Sequence, residues 1–160
     1  MSTPQNLVWI SDAAIGTMTA DSSKWYPKET GGVLLGYLSD AQWVVMYATD
    51  SGPKSLHHPS SYTPDQAYDT GKIATEFKSS LGVIRYLGDW HSHPDGIASL
   101  SYKDRSTLKR IANFPDAQIK APLMMICAGR NNWNLGAWSV VLRRWRSQWI
   151  SLSLRRFTPH

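Results

Sequence analysis

The stretch Gly88-Asp89-Trp90-His91-Ser92-His93-Pro94, followed shortly by Ser101-Tyr102-Lys103-Asp104, decides how this chain is read. Val83-Ile84-Arg85-Tyr86-Leu87 leads into it and is apolar, β-branched and aromatic, the pattern of a strand. Side chains alternate across a strand, so His91 and His93 share one face, with backbones about 6.6 Å apart. Pro94 and Gly96 then break the strand. Ser101 opens a new helix and puts Asp104 in its first turn, where Ser and Asp also match a capping box. A His-x-His pair alone is ordinary. Two imidazoles joined by a carboxylate at this spacing make a three-ligand zinc set that leaves a fourth position for water.

Outward from that stretch, strands and helices alternate. Leu7-Val8-Trp9-Ile10 reads as a short strand, and Ser11-Asp12 as the start of a helix through Ala13, Ala14, Ile15 and Met18. Pro27-Lys28-Glu29-Thr30-Gly31-Gly32 is rich in breakers. Residues 33–38 and 43–48 form two antiparallel strands turned by Ser39-Asp40. Residues 50–63 make a long loop carrying His57 and His58, and loops of this length are often functional. Thr63-Pro64-Asp65 predicts a helix start with proline at the first position. Ala67, Gly71, Ala74, Phe77 and Leu81 form its packing face. Leu108, Ile111 and Ala112 stripe the helix begun at Ser101, which ends at Phe114-Pro115-Asp116. Three closing strands follow, within 122–128, 133–142 and 149–154, the first two separated by a turn at Asn131-Asn132. The order predicts a single α/β or α+β domain over residues 1–160, a mixed sheet with about three helices.

Charge and composition narrow the classes. No apolar run approaches about 18 residues, so a membrane span is not expected. Met1-Ser2-Thr3-Pro4-Gln5-Asn6 lacks the basic and apolar regions of a signal peptide. The lone cysteine, Cys127, sits in an apolar run and reads as a core residue, which fits a reducing, cytoplasmic setting. The net charge of +5 is concentrated late, at Arg143, Arg144, Arg146, Arg155 and Arg156. A solvated basic face accounts for it. No motif of a nucleic-acid fold accompanies it, so nucleic-acid binding is not expected. Of the eight tryptophans, Trp9, Trp43, Trp138 and Trp149 fall in strand-like stretches, and most read as core or half-buried sheet residues.

His91-Ser92-His93-Pro94, six residues, Ser101 and Asp104 resemble the signature H-[ST]-H-P-x(6)-S-x-x-D of the JAMM (JAB1/MPN) metalloproteases. Glu29-Thr30-Gly31-Gly32-Val33-Leu34-Leu35-Gly36 resembles the same family's E-x-G-G-x-L-x-G segment. The similarity covers most of the chain, and no motif position departs from the pattern. It implies a JAB/MPN-type, cytidine-deaminase-like fold: a mixed central sheet flanked by helices. It also implies one Zn2+ per chain on His91, His93 and Asp104, with Glu29 as general base and Ser101 as hydrogen-bond donor to the oxyanion. The implied reaction is hydrolysis of the amide after the C-terminus of a ubiquitin-like tag or an E1/E2-processed protein. Glu29-Thr30-Gly31-Gly32, the Gly52-Pro53 loop and Thr63-Pro64-Asp65 are similar to the small prokaryotic JAB peptidases found beside E1/E2-like genes, among them the deconjugating peptidase of CBASS antiphage operons.

The residue chemistry agrees with that expectation. A zinc site with an open position acidifies water toward pKa about 7. A carboxylate such as Glu29 takes up the released proton. Two other readings use the same residues: a silent protein-interaction scaffold, and a peptidase that processes sulfur-carrier precursors. A scaffold has no need of an intact Glu29 and Ser101. His57 and His58 are candidate substrate contacts, Asp89 a candidate acceptor for a ligand imidazole, and Trp90 a core residue on the opposite face from His91.

Overall fold

The computed structural model describes residues 6–160. Met1 to Gln5, part of the stretch read above as lacking a signal peptide, lie outside them. Strand β1 (Leu7–Ser11) leads directly into helix α1 (Asp12–Trp25). The Ser11 hydroxyl caps that helix by accepting from the Ala14 N–H at 3.0 Å. Strands β2 (Gly31–Ser39) and β3 (Gln42–Ala48) form the expected antiparallel pair. Two three-residue strands, β4 (Leu56–His58) and β5 (Ser61–Thr63), make a separate hairpin. Helix α2 (Gln66–Ser79), strand β6 (Arg85–Pro94) and helix α3 (Tyr102–Asn113) follow. Strands β7 (Leu123–Gly129), β8 (Asn134–Leu142) and β9 (Ser147–Phe157) end the chain.

The large sheet runs β1-β3-β2-β6-β7-β8-β9 and closes on itself, because β9 pairs in parallel with β1. Inward-facing Val8, Ile10, Leu34, Val45, Trp90, Leu123, Met125 and Cys127 form the main core, with Ala14 and Met18 of α1 packed into it. Helix α3 covers the outer side of β7 and β8 through Leu108, Met124, Ile126 and Val140. Helix α2 covers the outer side of β2 and β6 through Ile73, Val33, Leu35 and Ile84. Strand β7 is therefore buried on both faces, which explains its unbroken apolar run. Cys127 is fully buried, and burial pushes its thiol up to about 11.

Three expectations are corrected. Helix α2 is capped by Asp65, whose carboxylate accepts from the Tyr68 N–H at 3.1 Å, and it starts at Gln66. Its packed face is Asp69 and Ile73. Ala67, Gly71, Ala74 and Phe77 are exposed. The stretch 50–63 is no plain loop, since it contains the β4–β5 hairpin. The basic residues behave as read: Arg143, Arg144 and Arg146 are exposed around the β8–β9 turn, and Arg156 pairs with Asp12. No helix among the described residues is long and apolar enough to cross a membrane.

Candidate metal centre

Trp90 points inward and is 1% exposed, so strand alternation turns His91 and His93 to the outer face of the sheet. There the first turn of α3 meets them. His91 Nε2 lies 2.9 Å from Asp104 Oδ1, His93 Nε2 lies 3.4 Å from Asp104 Oδ2, and the two Nε2 atoms are 3.1 Å apart. Donors at about 2.0–2.2 Å from a tetrahedral zinc stand roughly 3.3–3.5 Å from one another. The observed spacings are close to those edges, so the residues fit such an ion.

The surroundings hold each donor in place. His93 Nδ1 donates to the Ile97 carbonyl at 2.9 Å, which leaves Nε2 unprotonated and available. Ser101 and Asp104 form a capping box: the Ser101 N–H donates to Asp104 Oδ2 at 2.7 Å, and the Asp104 N–H to Ser101 Oγ at 3.1 Å. Asp104 is 6% exposed. Burial alone would raise its carboxyl, but the contacts with His91 and His93 outweigh it and hold the group well below the usual range. Burial pulls the His93 imidazole down, but Asp104, the Ile97 carbonyl and the Glu29 charge together more than reverse that.

Glu29 comes to this site from the connection between α1 and β2. Gly31 pairs with His91 in register, and Ser92 locks the segment from both sides. The Ser92 N–H donates to the Thr30 carbonyl at 2.8 Å, and the Thr30 N–H donates to Ser92 Oγ at 3.0 Å. A side chain at Gly31 or Gly32 would break this fit. A Cβ there would stand 2.5 Å from the Trp90 carbonyl oxygen or 2.3 Å from that of Thr49. Burial raises the Glu29 carboxyl above its ordinary value, while His91, His93 and Lys103 pull it back. Glu29 thus sits half-buried within the field of the His and Asp cluster.

The structure brings Glu29, His91, His93, Ser101 and Asp104 to one end of β6. Asp89 takes its hydrogen bond from the Tyr86 hydroxyl at 2.8 Å and, like Asp69, lines a groove between α2 and α3. His57 and His58 lie beside the backbone of Glu29. Ser92 and Thr30 were missed from the sequence. Their signal was present, since Ser92 lies between the two histidines and must face the other way.

A family model described as prokaryotic homologs of the JAB domain matches residues 11–148. The chain belongs to that family. A probable metalloprotease, y4qB, of Sinorhizobium fredii is 35% identical over 86% of each chain. A protein of Escherichia coli named CD-NTase/cGAS isopeptidase is 23% identical over 79% of this chain and 78% of its own. Another of that name, from Enterobacter hormaechei, is 29% identical over 75% and 66%. The solution structure of DSY2949 from Desulfitobacterium hafniense has the same fold, with a TM-score of 0.66 at 16% identity over 94% of each chain. These relatives carry the names metalloprotease and isopeptidase, and in this JAB domain His91, His93 and Asp104 stand close enough together to hold a metal ion.

Proposed function

We propose that this JAB domain is a zinc-dependent isopeptidase that cleaves the amide joining the C-terminus of one protein to a second protein. The observation that carries the reading is the meeting of three metal donors with a desolvated carboxylate on one surface. His91, His93 and Asp104 hold the ion. When bound, zinc supplies Lewis-acid charge that makes water acidic near neutral pH and polarises a carbonyl. Glu29 takes the proton from the attacking water and delivers it to the leaving amine, and its raised pKa makes it a stronger base for the first of these steps. The Ser101 oxygen already accepts from the Asp104 N–H, so its own proton is free to donate to the carbonyl oxygen as charge develops there.

The relatives named CD-NTase/cGAS isopeptidase support a conjugated protein as substrate, and the two candidates are a CD-NTase of an antiphage system and a ubiquitin-like tag. The test uses two probes. One is the C-terminal segment of a CD-NTase in isopeptide linkage to lysine, the other a ubiquitin-like protein fused to a reporter. Protein carrying one zinc per chain is expected to cut at least one of them, with the activity removed by chelator. Glu29→Gln is expected to keep the zinc and lose about 10²- to 10⁴-fold in kcat. Zinc-loaded protein that leaves both probes intact would count against the reading. Undiminished cleavage by Glu29→Gln would place the base elsewhere.

A further inference from the structure

Glu29 lies in no strand or helix, so no ladder fixes its backbone. Two consecutive residues of β4 do so instead. The Glu29 N–H donates to the His58 carbonyl at 2.9 Å, and His57 Nδ1 lies 2.9 Å from the Glu29 carbonyl oxygen. A carbonyl only accepts, so Nδ1 carries the proton. The far nitrogen, Nε2, is 2.9 Å from Ser55 Oγ. The imidazole stacks on Trp25, with centroids 3.5 Å apart and planes 9° from parallel, and leans on Tyr62. Both nitrogens and one face are thus engaged within the protein. A substrate contact needs a ring with a free edge, and this ring is spent on its neighbours.

We propose that His57 is a positioning residue for Glu29. Together with the His58 carbonyl it grips the peptide on both sides of the base, and the Trp25 stack fixes the grip against the end of α1. The inference rests on the reading of Glu29 as general base. A base works only within hydrogen-bond reach of its proton, and a displacement of about 1 Å costs about 10²-fold in rate. The β4–β5 hairpin is thereby part of the catalytic frame.

Three variants separate the contacts. His57→Phe keeps an aromatic ring against Trp25 and loses both hydrogen bonds. His57→Asn restores a donor at the Nδ1 position. His57→Gln places its amide at the Nε2 position. His57→Phe is expected to lower kcat about tenfold or more, with KM and bound zinc unchanged. His57→Asn recovers most of that loss, and His57→Gln does not. Hydrogen exchange at the Glu29 amide, which needs no substrate, rises about fivefold or more in His57→Phe and stays near wild type in His57→Asn. Wild-type kcat and exchange in His57→Phe overturn the proposal. A rise in KM at constant kcat also overturns it, by making His57 a substrate contact. If wild-type protein cuts neither probe, the function proposed above fails, and the exchange measurement still decides whether His57 holds Glu29.

Discussion

At the scale of single residues, Ser101 has two tasks that mutation can pull apart. Its oxygen caps α3, and in the proposed reaction its hydroxyl proton serves the substrate. Ser101→Ala is expected to cost about 1 kcal/mol of stability through the lost cap and about 10²-fold or more in kcat through the lost donor. Aspartate caps as well as serine and, when ionised, has no proton to donate. Ser101→Asp should therefore recover the melting temperature and leave kcat low. Recovery of both would show that the hydroxyl is dispensable. The five motif residues were legible in the sequence because each is a chemical type at a fixed spacing from the next. The grip on Glu29 was not, because it depends on how a hairpin 28 residues downstream lies against the base.

Among the elements, α2 shows where periodicity misleads. Small and apolar residues at helical spacing suggested a packed stripe through Ala67, Gly71 and Ala74, yet the buried face carries Asp69 and Ile73. Nothing in the local pattern announces a buried aspartate, since its burial comes from β2 and β6 beneath it. Asp69 is 8% exposed, and among the described residues its Oδ1 has no hydrogen-bond partner. Burial, with Asp89, Asp65 and Asp50 nearby, pushes its carboxyl from 3.8 up to about 7. In the unfolded chain the group ionises near its ordinary value. Between the two values the unfolded state binds fewer protons, so stability falls as pH rises through that window and stays low above it. Asp69→Asn should be more stable than wild type by roughly 2 kcal/mol at pH 8 and no more stable at pH 4. Denaturant midpoints at the two pH values check this. An equal gain at both would mean that packing, and not charge, is the cause.

For the whole molecule, the alternation of strands and helices made the mixed sheet with three helices legible, while its closure was not. Closure depends on β1 lying between β3 and β9, in parallel with both, and no neighbouring sequence encodes that pairing. Removing residues 147–160 deletes β9 and strips β1 and β8 of a partner each. The truncated chain is expected to lose cooperative unfolding even though every site residue remains. A sharp two-state transition in that fragment would show that the open sheet is stable by itself. At the opposite extreme, Trp145 is 87% exposed at the β8–β9 turn, and Trp145→Ser should change stability by less than about 0.5 kcal/mol.

The pairing of β1 with β9 also bears on how the chain comes off the ribosome. Leu7 and Ser153 are neighbours in the sheet but 146 residues apart in sequence, which at roughly 5–20 residues per second is about seven to thirty seconds of translation. Through that interval β1 has no partner on one side, and the nascent protein offers an open edge to other chains. The residues of the candidate site are all translated before the strand that shuts the barrel. A nascent chain stalled just short of β9 would therefore contain the whole metal-binding motif on an unfinished, aggregation-prone sheet.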